Sequence, residues 1–93
     1  MKVTVRFFAA LREIVGKKEE TIEFTNEANI TVRKALKELT KLHGKEFADY
    51  VYDKKISEPR GYLQILVNEK IATLRTELKD GDVLVIVPPV GGG

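Results

Sequence analysis

The most restrictive stretch of this chain is Val83-Leu84-Val85-Ile86-Val87, apolar at every position and running straight into Pro88-Pro89. A run with no polar residue has no face suited to open water. It fits a central strand with one side in a core and the other under a partner. The two prolines lack N–H groups and fix φ near about −65°, so they end strand pairing and aim the remaining residues away from the sheet. Those residues are Val90-Gly91-Gly92-Gly93, and the six positions beyond Val87 extend to roughly 20 Å. Glycines suit a narrow passage because no Cβ keeps backbones apart, although ordering them costs more entropy than ordering any other residue. Two readings fit this ending: a C-terminal carboxylate delivered into a partner's active site, or a frayed terminus or expression scar. Taken alone, the tail favours the second.

The rest of the chain supplies one core. Lys2 to Phe8 alternates, with Val3, Val5 and Phe7 on one face and Thr4, Arg6 and Phe8 on the other. Ala9 to Val15 predicts one or two helical turns stopped by Gly16. Thr21-Ile22-Glu23-Phe24 alternates again and is expected to pair antiparallel with the first strand, Ile22 and Phe24 inward. After a loop at Asn26 to Ile30, Thr31 is the expected N-cap of the main helix, Val32 to His43. Val32, Ala35, Leu36, Leu39 and Leu42 form its apolar stripe, and His43 in the last turn complements the helix dipole. Phe47, Tyr50 and Val51 suggest a short second helix, and Asp53 to Gly61 an exposed loop. Tyr62 to Val67 reads as a strand, Asn68-Glu69-Lys70 as a turn, Ile71-Ala72 as a short pairing stretch, and Lys79-Asp80-Gly81-Asp82 as a second turn. Strand, strand, helix, strand, short strand, strand is the order of an α+β β-grasp: a mixed sheet of four to five strands packed on one main helix. The first and last strands can pair in parallel because the helical crossover lies between them. The expected organisation is a single domain over 1–93, with a flexible tail at 88–93.

Composition removes several function classes. The 93 residues include no cysteine and one histidine, which leaves no disulfide framework, no thiolate nucleophile and little material for a metal site. Sixteen basic and fourteen acidic residues are interspersed, for a net charge of +2, so no one-sided basic stripe points to nucleic acid. No run is long enough to span a membrane and no secretory leader is visible, which gives the expectation of a cytoplasmic protein. Phosphate-loop, catalytic-triad and calcium-loop patterns are absent. Asp80 and Asp82 are spaced like a carboxylate pair, but Gly81 between them makes a turn.

Val3 to Gly16, Thr31-Val32, Val67-Asn68-Glu69, Leu78 to Asp82 and Pro88 to Gly93, in that order and spacing, resemble the MoaD family, the small ubiquitin-like sulfur-carrier subunit of molybdopterin synthase. The resemblance spans nearly the whole chain except about residues 45–61. It implies that no cofactor is bound, and that an E1-like (MoeB-like) enzyme uses ATP to adenylate the Gly93 carboxylate, which then becomes a C-terminal thiocarboxylate. It implies a MoaE-like large subunit, in a heterotetramer, that accepts the tail and supplies the catalytic groups. Gly92 and Gly93 match the family's diglycine, and Gly91 stands where family members often carry Ala or Thr. Phe8, Ile71 and Val87, with Arg12 as a polar contact, are the implied partner-binding surface, continued by Pro88, Pro89, Val90 and Gly91. Three alternatives stand beside this reading. They are a ubiquitin-like modifier joined through Gly93 to lysines, a ThiS-like carrier for thiazole synthesis, and a β-grasp binding module without tail chemistry. The chain's length and Pro88-Pro89-Val90 favour the molybdopterin branch over the thiazole one.

Overall fold

Alternation of apolar and polar residues builds the sheet. In the computed structural model, which describes residues 1–25 and 29–88, β1 (Lys2–Phe7) turns Val3, Val5 and Phe7 into the core. A short α1 (Ala10–Val15) follows and ends at Gly16, whose φ of 84° is the left-handed cap glycine adopts without a Cβ penalty. β2 (Glu19–Glu23) pairs antiparallel with β1. Residues 26–28 of the expected loop lie outside the described residues. Thr31 caps α2 (Val32–His43), its side chain accepting a hydrogen bond from the Lys34 N–H.

α3 (Lys45–Val51) comes next, then β3 (Tyr52–Asp53), β4 (Glu58–Pro59), β5 (Gln64–Val67), β6 (Lys70–Ile71) and β7 (Val83–Val87). The main sheet runs β2-β1-β7-β5-β6, with β7 central, parallel to β1 and antiparallel to β5. Leu84 and Ile86 of β7 pack inward beside Val5 and Phe7, while Val32, Ala35, Leu36 and Leu39 of α2 close the core from above. This is the expected β-grasp. No helix among the described residues is long and apolar enough to cross a membrane.

Two expectations for α2 change. Leu42 is not part of the buried stripe but 57% exposed, and His43 takes the inner position. The cause is helical phase: residues 32, 36, 39 and 43 follow one line, whereas each step along a helix rotates by about 100°, which swings 42 off it. His43 therefore does more than complement the helix dipole. Its ring meets Phe7 edge-on at 6.0 Å and Phe47 at 5.9 Å, and it hydrogen-bonds Glu20 of β2. Burial pushes the Glu20 carboxyl upward, but hydrogen bonds from His43 and Lys17 outweigh it and hold the group below its ordinary range.

Residues 53–61 are also more ordered than a loop, because β3 and β4 pair as a small antiparallel ladder. Arg33 of α2 pins it through Glu58 at 2.5 Å, and the Arg60 guanidinium donates to the Tyr50 and Asp49 carbonyls at the end of α3. These contacts satisfy carbonyls that a helix end otherwise leaves to water. The strand expected from Tyr62 begins two residues later, at Gln64, and Tyr62 is 54% exposed.

Candidate functional site: the outer sheet face and the tail exit

With α2 covering one side of the sheet, the other side lies uncovered by any described element. The register places Glu19, Arg6, Val85, Leu66 and Ile71 in one row across all five strands. Val85 and Leu66 are half-buried and Ile71 is 85% exposed, so the middle of the row is apolar and its β2 end carries the exposed Arg6–Glu19 ion pair. A neighbouring open pocket of about 320 Å³ is lined by Arg6, Asn68, Glu69, Val83 and Val85. Leaving apolar side chains of a central strand uncovered forgoes burial worth ~25 cal/mol per Å², which a partner laid on this face recovers.

Phe8 extends this face toward the tail. Phe7 is opposite Ile86, so Phe8 and Val87 take the next positions on adjacent strands. Phe8 is half-buried because two guanidiniums cover its ring, Arg6 at 5.7 Å and Arg12 of α1 at 6.0 Å from the centroid. Period-2 patterning puts Phe8 outside the core; the structure adds the cations on both sides. Ala9 reverses the chain directly after it with φ 52° and ψ −130°, a conformation few side-chain-bearing residues adopt. Of the residues expected at a partner surface, Phe8, Arg12 and Val87 thus gather at one end of the face. Ile71 shares the face two strands away. Pro88 is buried at the exit, and Pro89, Val90, Gly91, Gly92 and Gly93 lie outside the described residues.

At its opposite end β7 is anchored by a group of residues that sequence patterning shows only as turns. Asn68, at φ 50°, accepts from the Val83 N–H and donates to the Asp82 carboxylate, both at 2.9 Å, while its own N–H reaches the Val83 carbonyl. Asp82 also accepts from the Lys79 N–H, and Asp80 from the Lys2 N–H at 2.7 Å. The starts of β1 and β7 and the β5–β6 turn are therefore tied together. The strand that precedes the tail is fixed at its origin. Among the described residues no group of three or more His, Asp or Glu stands ready to hold a metal.

Comparison with known proteins agrees with this geometry. The ThiS family model matches residues 5–93. Small archaeal modifier protein 3 of Haloferax volcanii is 29% identical over 99 positions, covering all of both chains. The crystal structure of SAMP1 from Haloferax volcanii gives a TM-score of 0.86 at 26% identity, covering 100% of each chain. A putative molybdopterin converting factor, subunit 1, from Pyrococcus furiosus gives 0.72 at 34% identity, covering 97% of this chain and 99% of that one. A β-grasp sheet with a bare outer face, in a chain matched along almost its whole length, makes this chain a member of the ThiS family, the small ubiquitin-like sulfur carriers and modifiers.

Proposed function

We propose that the chain is a ubiquitin-like modifier, joined through the Gly93 carboxylate to lysine side chains of other proteins. The observation that carries this reading is the end-to-end similarity to a small archaeal modifier protein. It moves the weight away from a role dedicated to molybdopterin synthase, the reading the sequence resemblance favours. A carboxylate is a poor electrophile, so an E1-like enzyme first activates it. One Gly93 oxygen attacks the α-phosphorus of ATP, pyrophosphate leaves, and an acyl-adenylate remains. The acceptor lysine amine then attacks the carbonyl carbon, AMP departs with the C–O bond electrons, and the nitrogen loses a proton as the isopeptide forms. The described body of this chain contributes docking and position: the outer face from Val85 to Ile71 and the Phe8 corner seat the enzyme, and the anchored β7 aims the tail.

A second reading rests on the 34% identity to a putative molybdopterin converting factor subunit. The same adenylate, attacked by hydrosulfide instead of an amine, forms a C–S bond as AMP departs with the C–O bond electrons, and the resulting thiocarboxylate is consumed by a large catalytic subunit. The two roles share every step up to the adenylate and one protein can serve both.

The test is a digest of protein isolated from its own cells. Trypsin cuts after Lys79, so conjugation leaves the segment Asp80–Gly93 on an acceptor lysine rather than a bare glycine pair. Branched peptides carrying that segment, lost when Gly92 and Gly93 are deleted, are the expected result. Only unbranched chain, with oxygen replaced by sulfur at its terminus, would leave carriage as the sole role.

A further inference from the structure

The side of the molecule opposite the uncovered sheet face carries a second, differently built surface. Lys37 and Lys41 stand one turn apart on the exposed side of α2, and next to them an open cleft of about 300 Å³ is lined by Lys37, Thr40, Lys41 and Tyr52. Polar atoms are turned away from it. The Thr40 hydroxyl donates to the Leu36 carbonyl at 2.9 Å, and the Tyr52 hydroxyl is buried without a hydrogen bond of good geometry. The cleft is therefore floored by a tyrosine ring and walled by lysine stems, with two ammonium groups at its rim. Several cations elsewhere are matched by carboxylates, Arg33 by Glu58, Lys45 and Lys54 by Asp49 and Lys17 by Glu20, and what sets Lys37 and Lys41 apart from the other exposed cations is the apolar cleft between them. Lys37 and Lys41 have no carboxylate partner among the described residues, and Glu38 on the same helix pairs with neither. On the far flank of the lysine ridge the exposed Leu42 adds a second apolar spot.

We propose that this face of α2 docks an acidic peptide segment of a partner protein, one apolar side chain seated in the cleft on Tyr52 and flanking carboxylates meeting Lys37 and Lys41. Charge complementarity identifies the occupant. Two unpaired cations around an apolar floor match a short acidic stretch interrupted by a leucine or phenylalanine. A nucleic-acid backbone brings phosphates without that anchor, and two lysines neutralise too few of them for firm binding. Because α2 covers the inner side of the sheet and the uncovered face lies on the outer side, the peptide leaves the outer face and tail exit free. A partner can thus hold the chain non-covalently while Gly93 is being activated or is already joined to a substrate. The surface does not depend on whether Gly93 ends on nitrogen or on sulfur.

The test uses the full-length ¹⁵N-labelled chain and a synthetic peptide with a central leucine between two aspartates and two glutamates. Amide shifts confined to the surroundings of residues 37, 40, 41 and 52 are expected, with affinity falling as salt rises. The exposed double variant Lys37→Glu/Lys41→Glu weakens binding by about tenfold or more, since rim charges set both encounter and affinity here, whereas Ile71→Lys on the opposite, outer face leaves peptide binding unchanged. Replacing the peptide's leucine by serine weakens binding as well. Equal binding of the serine peptide, shifts on the outer face, no shifts at all, or tighter binding of a single-stranded oligonucleotide of equal charge would each overturn the proposal.

Discussion

Replacing Asn68 tests how β7 is held. Its side chain makes two hydrogen bonds of 2.9 Å, one from the Val83 N–H and one to the Asp82 carboxylate, while its backbone sits at φ 50°. Asn68→Ala removes both bonds, each worth about 0.5–1.5 kcal/mol net, and puts a Cβ-bearing residue without a compensating side-chain bond into the left-handed region, at roughly 1 kcal/mol more. The expected loss is about 2–4 kcal/mol. Asn68→Gly loses the same two bonds but is at ease at positive φ, so its loss is about 1–3 kcal/mol, about 1 kcal/mol less than that of the alanine variant. For a domain of this size 1 kcal/mol shifts the melting temperature by about 4–8 °C, so the two variants separate cleanly in a thermal melt. Urea unfolding followed by circular dichroism gives the free energies directly, with an unchanged slope showing that only stability has moved. Equal losses for alanine and glycine would mean that the positive φ costs nothing. Losses below about 0.5 kcal/mol for both would mean that the side chain does not clamp the strand at all.

The same structure gives three further expectations. The Glu20 carboxyl is held below its ordinary value near 4.5, so the stability it adds is complete above that pH and disappears as the pH falls through its folded value. Glu20→Gln should accordingly be less stable than wild type at neutral pH and lose less on acidification toward pH 3, by urea midpoints; parallel curves would show that the His43–Glu20 contact adds no stability. Ala9→Gly should stabilise the fold by about 1 kcal/mol, relief of strain at φ 52° exceeding the entropy glycine adds to the unfolded chain, and a destabilised variant would contradict this. Phe8→Arg should keep a native circular dichroism spectrum while weakening binding to the E1-like enzyme, measured by calorimetry; unchanged affinity would take the Phe8 corner out of the interface.

Residue order alone reveals whatever a local period enforces. The alternation in Lys2 to Phe8 and the unbroken apolar run of β7 locate the inner and outer faces, and Thr31 with the 3.6-residue stripe locates α2 to the residue. Features resting on partners distant in sequence are not legible in this way. His43 turns inward because Glu20 and the Phe7 and Phe47 rings surround it, and only its phase along the helix, in line with Leu36 and Leu39, signals this. The β3–β4 ladder has two residues per strand and depends on Arg33, too short and too dependent on a remote side chain for any period to show. Asn68 is readable as a turn residue, but its hold on Val83 and Asp82 depends on how β5 and β7 pair.

If Gly93 is the reacting end of this molecule, it should form an isopeptide bond under defined conditions. Purified chain is incubated with an E1-like enzyme, ATP and a lysine-bearing acceptor, then digested with trypsin and analysed by mass spectrometry. Asp80–Gly93 attached to acceptor lysines only when ATP is present is the expected result. An enzyme that forms the Gly93 adenylate yet leaves every lysine unmodified would contradict the modifier role.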